Sequence, residues 1–139
     1  MIQFTYDDGG RADAGFKGVT GDCVTRAAAI ATGRPYREIY DLINEMGANE
    51  RRRTIKHSSA RTGVQNDTTR ALMAALGLTW TPTMSIGSGC RVHLRADELP
   101  GGAIVVKLSR HVAAVVNGVL RDTYDSSRDV TRCVYGYWQ

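Results

Sequence analysis

The stretch His111-Val-Ala-Ala-Val-Val-Asn-Gly-Val-Leu-Arg-Asp-Thr-Tyr124 decides how this chain folds. Two β-type runs flank Asn117-Gly118, the dipeptide best suited to a two-residue type I′ turn, in which both central residues need positive φ. The turn fixes the register: Val116 opposite Val119, Val115 opposite Leu120, Ala113 opposite Asp122 and His111 opposite Tyr124. Residues opposite one another share a face, and so do residues two apart on one strand. His111 and Asp122 are therefore diagonal neighbours on one face, within hydrogen-bond reach, with the small Ala113 between them. Asp125 has the wrong parity and points away.

Around this hairpin the chain divides in character. Further β-type runs at Leu78–Met84, Arg91–Leu94, Ala103–Leu108 and Cys133–Trp138 are separated by Gly and Pro. Upstream the pattern is helical. Asp22 is a suitable N-cap for an Ala-rich helix from Cys23 to Thr32, and Gly33 ends it. Pro35 opens a second helix, with Ile39, Leu42, Ile43 and Met46 at helical spacing and Gly47 closing it. Asp67 or Thr68 caps a short third helix through Leu72, Met73 and Leu76, ended by Gly77. Helices first and strands later predict an α+β domain with an antiparallel sheet. Residues 1–21 read as an irregular leader with a short strand at Ile2–Tyr6, and residues 48–67 as an exposed loop carrying Arg51, Arg52, Arg53, Lys56 and Arg61.

Composition agrees with one folded domain over residues 1–139. The hydrophobic share of 42% and charged share of 23% are those of a globular chain. No apolar run reaches the ~18 residues that span a bilayer, and the N-terminus lacks the basic and apolar regions of a signal peptide. Cys23, Cys90 and Cys133 are an odd, widely spaced set without a CxxC, which argues against a disulfide framework or a zinc ribbon and for a reducing cytoplasm. The net charge of +4 permits contact with polyanions without demanding it, and Arg51, Arg52 and Arg53 are the residues through which nucleic acid would bind. His57 and His93 read as solvent-facing. The three histidines have no metal-ligand spacing, and no cofactor motif is present.

A carboxylate beside a histidine fixes its tautomer and stabilises the imidazolium, which also suits a pair that merely braces a hairpin. A nucleophile distinguishes the two. Cys23, in the first turn of a helix, has the helix dipole to favour its thiolate. Cys90, in a loop after Gly-Ser-Gly, and Cys133, in a C-terminal strand, read as small apolar cysteines. Trp80 and Trp138 fit the core or a groove rim.

Cys at a helix start, then His on a strand, then Asp on the next strand is the order of the papain-like cysteine peptidase superfamily. The Asp22-Cys-Val-x-Arg-Ala segment, running on to Ala31-Thr-Gly-x-Pro-Tyr36, and the His111–Tyr124 stretch resemble small papain-like proteins (C39-like) of bacteriophages and bacteria. The resemblance covers residues 22–40 and 103–126. It implies a papain-like fold with Cys23, His111 and Asp122 as the triad, and Tyr124 as the aromatic that shields the His–Asp pair from water. The family's oxyanion Gln, about six residues before the Cys, is Lys17 here. The hole would then use the backbone N–H of Cys23 with Thr20 or Lys17, or Gln3 folded back from the leader. The expected function is a cysteine hydrolase acting on an amide, peptide or isopeptide bond. It would be phage-encoded and act in the host cytoplasm on a protein or peptide. The alternatives are a Cys-dependent acyltransferase, an inactive papain-like fold that binds and inhibits a host protein, and a nucleic-acid binder working through the basic loop.

Overall fold

A computed structural model describes residues 1–18, 20–51 and 56–139. The elements are β1 (Gln3–Tyr6), α1 (Cys23–Thr32), α2 (Tyr36–Ala48), α3 (Asn66–Ala75), β2 (Trp80–Pro82), β3 (Ala103–Leu108), β4 (His111–Val116), β5 (Val119–Asp122) and β6 (Gly136–Trp138), with a 3₁₀ turn at Ala96–Glu98. The chain is α+β. One six-stranded sheet has the order β1-β5-β4-β3-β6-β2.

The β4–β5 hairpin has the register the Asn-Gly turn dictates: Val116 pairs with Val119, Val115 with Leu120 and Ala114 with Arg121. Asn117 (φ 50°) and Gly118 (φ 78°) both take the left-handed conformation of a type I′ turn. The sheet is mixed rather than antiparallel, because β1 joins β5 in parallel, from Gln3↔Val119 to Tyr6↔Asp122. At the hairpin's edge β5 would otherwise present unpaired backbone groups. The leader fills them, and the Asp7 N–H continues the ladder to the Asp122 carbonyl at 2.9 Å. The parallel direction delivers the leader to the end of the sheet where Asp122 lies.

The two faces of the sheet are covered differently. Val105, Val112, Ala114 and Trp138 pack against α1, α2 and α3 through Ala27, Ala28, Ala29, Ile39, Ile43, Leu72 and Met73. The three alanines keep α1 close to β4. Each fully buried Ile or Leu is worth ~1.5–3 kcal/mol. On the other face Ile104, Val106, Leu108, Ala113, Val115 and Leu120 meet Leu94 and Val134, which come from segments without regular structure. The Arg91–Leu94 run is not a strand, and β6 is shorter than the Cys133–Trp138 run. The two segments meet only at the His93↔Cys133 bridge, with the Val134 N–H on the Val92 carbonyl (2.8 Å) and the Leu94 N–H on the Arg132 carbonyl (2.9 Å).

Cys90 and Cys133 are joined in a disulfide, with Cα atoms 5.8 Å apart, where the sequence suggested two independent small cysteines. Their separation of 43 residues hides the pairing from any local pattern. Cys23 alone remains free, so cysteine usage no longer argues for a reducing compartment. No helix among the described residues is long and apolar enough to cross a membrane.

Several ends differ from expectation. Asp22 makes no side-chain cap to α1, whereas Gly33 (φ 71°) does terminate it. Pro35 precedes α2 rather than entering it, and that helix runs past Gly47 to Ala48. Gly47 is where the chain beyond α2 crosses the helix, so closely that a Cβ there would stand 2.2 Å from the Ser58 carbonyl oxygen. Gln65 takes the cap position of α3. The 48–67 segment is not a free loop: Ser58 and Ala60 are buried, the Ala60 N–H bonds Asn44 Oδ1 (2.9 Å), and the Ala60 carbonyl accepts Thr25 Oγ1 (2.7 Å). Glu50 accepts hydrogen bonds from the Ser58 and Thr68 hydroxyls. Burial raises its pKa, but these bonds and nearby His57 outweigh that and hold it below the usual value. Arg51 is exposed, and Arg52 and Arg53 lie outside the described residues.

Candidate active site

His111 opens β4 and Asp122 ends β5, so both stand at one rim of the sheet. Their parity matches Ala113, Val115 and Leu120, which face away from the helices. At the strand ends that parity stops being a barrier, and the first turn of α1 reaches them. His111 Nε2 lies 2.7 Å from Asp122 Oδ2. The same carboxylate accepts Ser126 Oγ (2.9 Å) on Oδ2, and Arg26 Nη2 (2.8 Å) and the Thr123 N–H (2.8 Å) on Oδ1. Every oxygen of this 1% exposed carboxylate therefore has a donor. Burial raises the Asp122 pKa, but the hydrogen bond and charge of His111, then Arg26 and the Thr123 N–H, outweigh it and hold the carboxyl below its ordinary range.

Cys23 is the first residue of α1. Its thiol stands close enough to His111 and to the Val112 backbone N–H for both to favour the thiolate. With Nε2 engaged by Asp122, Nδ1 is the ring nitrogen left for the thiol. Burial pushes the thiol pKa up, but the hydrogen bond and charge of His111, the Val112 N–H and Arg26 together bring it below the ordinary cysteine value. The reciprocal shift appears on the histidine. Burial lowers His111, Asp122 and Cys23 raise it, and the net is upward. The two groups thus favour the thiolate–imidazolium pair. Tyr124 lies beside the imidazole, ring centroids 5.5 Å apart, with its own ring half-exposed.

Arg26, one helical turn beyond Cys23, was not singled out from the sequence. Its guanidinium bridges two buried carboxylates, Asp22 Oδ1 at 2.5 Å and Asp122 Oδ1 at 2.8 Å. Asp22 also receives Arg11 Nη1 (3.3 Å) and the Tyr36 hydroxyl (2.7 Å). The residue expected to cap α1 instead anchors Arg26, and through it Asp122. The Asp22-x-x-x-Arg26 spacing, i to i+4 on a helix, was the available signal.

Cys23 and His111 line a cavity of ≈ 460 Å³ with Thr20, Thr62, Gly63 and Tyr124. Thr62 and Gly63 belong to the 48–67 segment read as an exposed loop. Thr20 Oγ1 accepts Arg11 Nη1 at 2.8 Å, which leaves its own hydrogen free to donate. Lys17 is not part of the cavity wall: it is exposed, and its carbonyl accepts Arg61 Nη2 at 2.5 Å. Of the two side chains expected at the oxyanion hole, Thr20 lines the cavity and Lys17 does not. Gln3 is held in β1 opposite Val119 and does not fold back. His57 is exposed on the Gly47 carbonyl (2.8 Å), and His93 is partly exposed, with Nδ1 3.3 Å from Glu98 Oε1. Among the described residues no group of three or more His, Cys, Asp or Glu could hold a metal ion.

The arrangement is that of an α+β protein with a thiol, an imidazole and a carboxylate in series. No family model matches the chain, and neither a curated protein nor a solved structure matches it.

Proposed function

We propose that this protein is a papain-like cysteine hydrolase that cleaves an amide or peptide bond, isopeptide included, through a thioester on Cys23. The supporting observation is the series itself. The Cys23 thiol stands beside a His111 whose far nitrogen is held 2.7 Å from Asp122, with shifts that favour the ion pair. A phage-encoded protein acting on a protein or peptide in the host cytoplasm remains the setting that the sequence resemblance suggests.

The chemistry follows from the positions. The Cys23 thiolate attacks the substrate carbonyl carbon, and the C=O π electrons move to oxygen. The oxyanion meets the Cys23 backbone N–H, one of the unpaired donors at the start of α1, and the Thr20 hydroxyl. His111 hands its proton to the amine nitrogen, the C–N bond breaks, and a thioester remains on Cys23. Water then attacks the thioester while His111 takes its proton, and Cys23 departs as thiolate. Asp122, kept ionised by Arg26 and Ser126, holds the imidazole in position throughout. An amine in place of water gives acyl transfer with the same groups.

Mass spectrometry of protein quenched during turnover of a peptide-thioester or peptide-amide library tests this. The expected result is an acyl adduct on the Cys23 peptide that hydroxylamine removes and that Cys23→Ala lacks. Turnover that persists in Cys23→Ala overturns the reading.

A further inference from the structure

Beside the catalytic cavity lies a second pocket of ≈ 200 Å³, walled by Trp80, Trp138, Met84 and Tyr135. It adjoins the first through shared Asn66, Thr69 and Lys107. Trp138 is a core residue, and Trp80 leans on it with centroids 4.5 Å apart, so the wall is rigid and aromatic. The volume suits one apolar side chain. Lys107 stands at the junction. Its position on β3 has the parity of Val105, which places it on the helix-covered face toward Cys23.

Lys107 is half-buried, and among the described residues no carboxylate pairs with it. Burial lowers its pKa, and the groups it feels are Cys23, Tyr135 and Arg70. The neighbouring cations, Arg110 in the first cavity and Arg70 in the second, likewise lack a carboxylate among the described residues. Charge at the site does not cancel. Arg11 and Arg26 are matched by Asp22 and Asp122, and the charge of His111 offsets that of the Cys23 thiolate. That leaves Lys107, Arg110 and Arg70 without a carboxylate along the groove, among the described residues. A half-buried ammonium with no carboxylate beside it is costly to keep, and a carboxylate that arrives with the substrate offsets the cost.

We propose that the groove selects an acidic acyl donor. A Glu- or Asp-type residue at the scissile carbonyl would pair with Lys107, and an aromatic residue beyond it would fill the Trp80–Tyr135 pocket. This rests on the hydrolase reading and specifies its substrate.

The test uses chloromethyl ketones, whose reactive carbon alkylates the Cys23 thiolate with loss of chloride. Three are compared on the full chain: acetyl-phenylalanyl-glutamyl, acetyl-phenylalanyl-glutaminyl and acetyl-alanyl-glutamyl. The first is expected to label Cys23 about tenfold faster than either of the others, the size of one charge-assisted contact or one filled pocket. Lys107→Gln should equalise the glutamyl and glutaminyl probes, and Lys107→Glu should reverse them. Each comparison is a ratio on one sample, so a loss of folded protein cannot imitate it. Equal labelling by the glutamyl and glutaminyl probes in the wild type, or a glutamyl preference that survives Lys107→Glu, overturns the proposal. So does labelling by iodoacetamide without reaction of any peptide probe, an outcome that leaves the hydrolase reading standing. Failure of iodoacetamide as well defeats both.

Discussion

The two faces of the sheet are built on opposite principles. The helix-covered face packs regular elements, and its contacts recur at helical and strand periods: Ile39 and Ile43 from α2, Leu72 and Met73 from α3, Val112 and Ala114 from β4. The other face is closed by irregular chain from Val92 to Leu99 and from Val130 to Val134, held by two buried residues, Leu94 and Val134, and one disulfide. The site lies at the rim between them. It takes Cys23 and Arg26 from the helical side and His111 and Asp122 from strand ends whose parity belongs to the other side. Regular structure supplies the thiol, and a hairpin rim supplies the imidazole and the carboxylate.

The comparison can be broken first at the rim itself. Asp122→Asn keeps the shape but removes the charge that stabilises the imidazolium, and a loss of about 10²–10⁴ in turnover is expected, measured as kcat/KM. An effect under tenfold would make Asp122 a hairpin brace. The next cut is the link between the two sides. Arg26→Met leaves Asp22 and Asp122 buried without their shared cation, and about 3–5 kcal/mol of stability should go, read by urea unfolding at pH 7.

The irregular face is probed by Cys133→Ser. Opening a 43-residue loop should cost about 3–4 kcal/mol in oxidising buffer and almost nothing under reductant, where the wild type loses the same staple. Loss of Cys23 reactivity alongside would show that the two faces are coupled. On the regular face Gly47→Ala presses a methyl onto the Ser58 carbonyl and should cost about 1–3 kcal/mol in thermal unfolding, without altering Cys23 labelling.

The titrating groups sharpen the picture through pH. Asp122 and Glu50 have folded pKa values below their ordinary ones. Their contribution is complete above the usual carboxylate range, near pH 4, and is lost as pH falls through the lowered folded values. His111, raised, contributes fully below its ordinary value near 6.5, and that contribution fades as pH rises through its raised one.

The rim was legible in the sequence because Asn117-Gly118 fixes a register, and a register fixes which side chains are neighbours. The same local logic gave β3, β4 and the end of α1 at Gly33. It failed where the deciding contact lies far along the chain. Arg26 meets Asp122 across 96 residues, and no periodicity announces it. Cys90 and Cys133 sit in segments that are neither helix nor regular strand, so spacing carried no pairing signal. Asp22 looked like a cap because caps are local. Its carboxylate went to Arg26, Arg11 and Tyr36, where a buried charge is better compensated than at a helix end. Lys17 was chosen by counting back from Cys23, but it is exposed and does not line the cavity, whereas Thr20 does.

The most direct test of the account is the pH dependence of iodoacetamide alkylation at Cys23, located by mass spectrometry, in the wild type and in His111→Ala. The account predicts a thiolate that titrates below the ordinary cysteine value of about 8.5 in the wild type and returns to or above it when His111 is removed. Slow labelling with an ordinary profile, unchanged by His111→Ala, would contradict it.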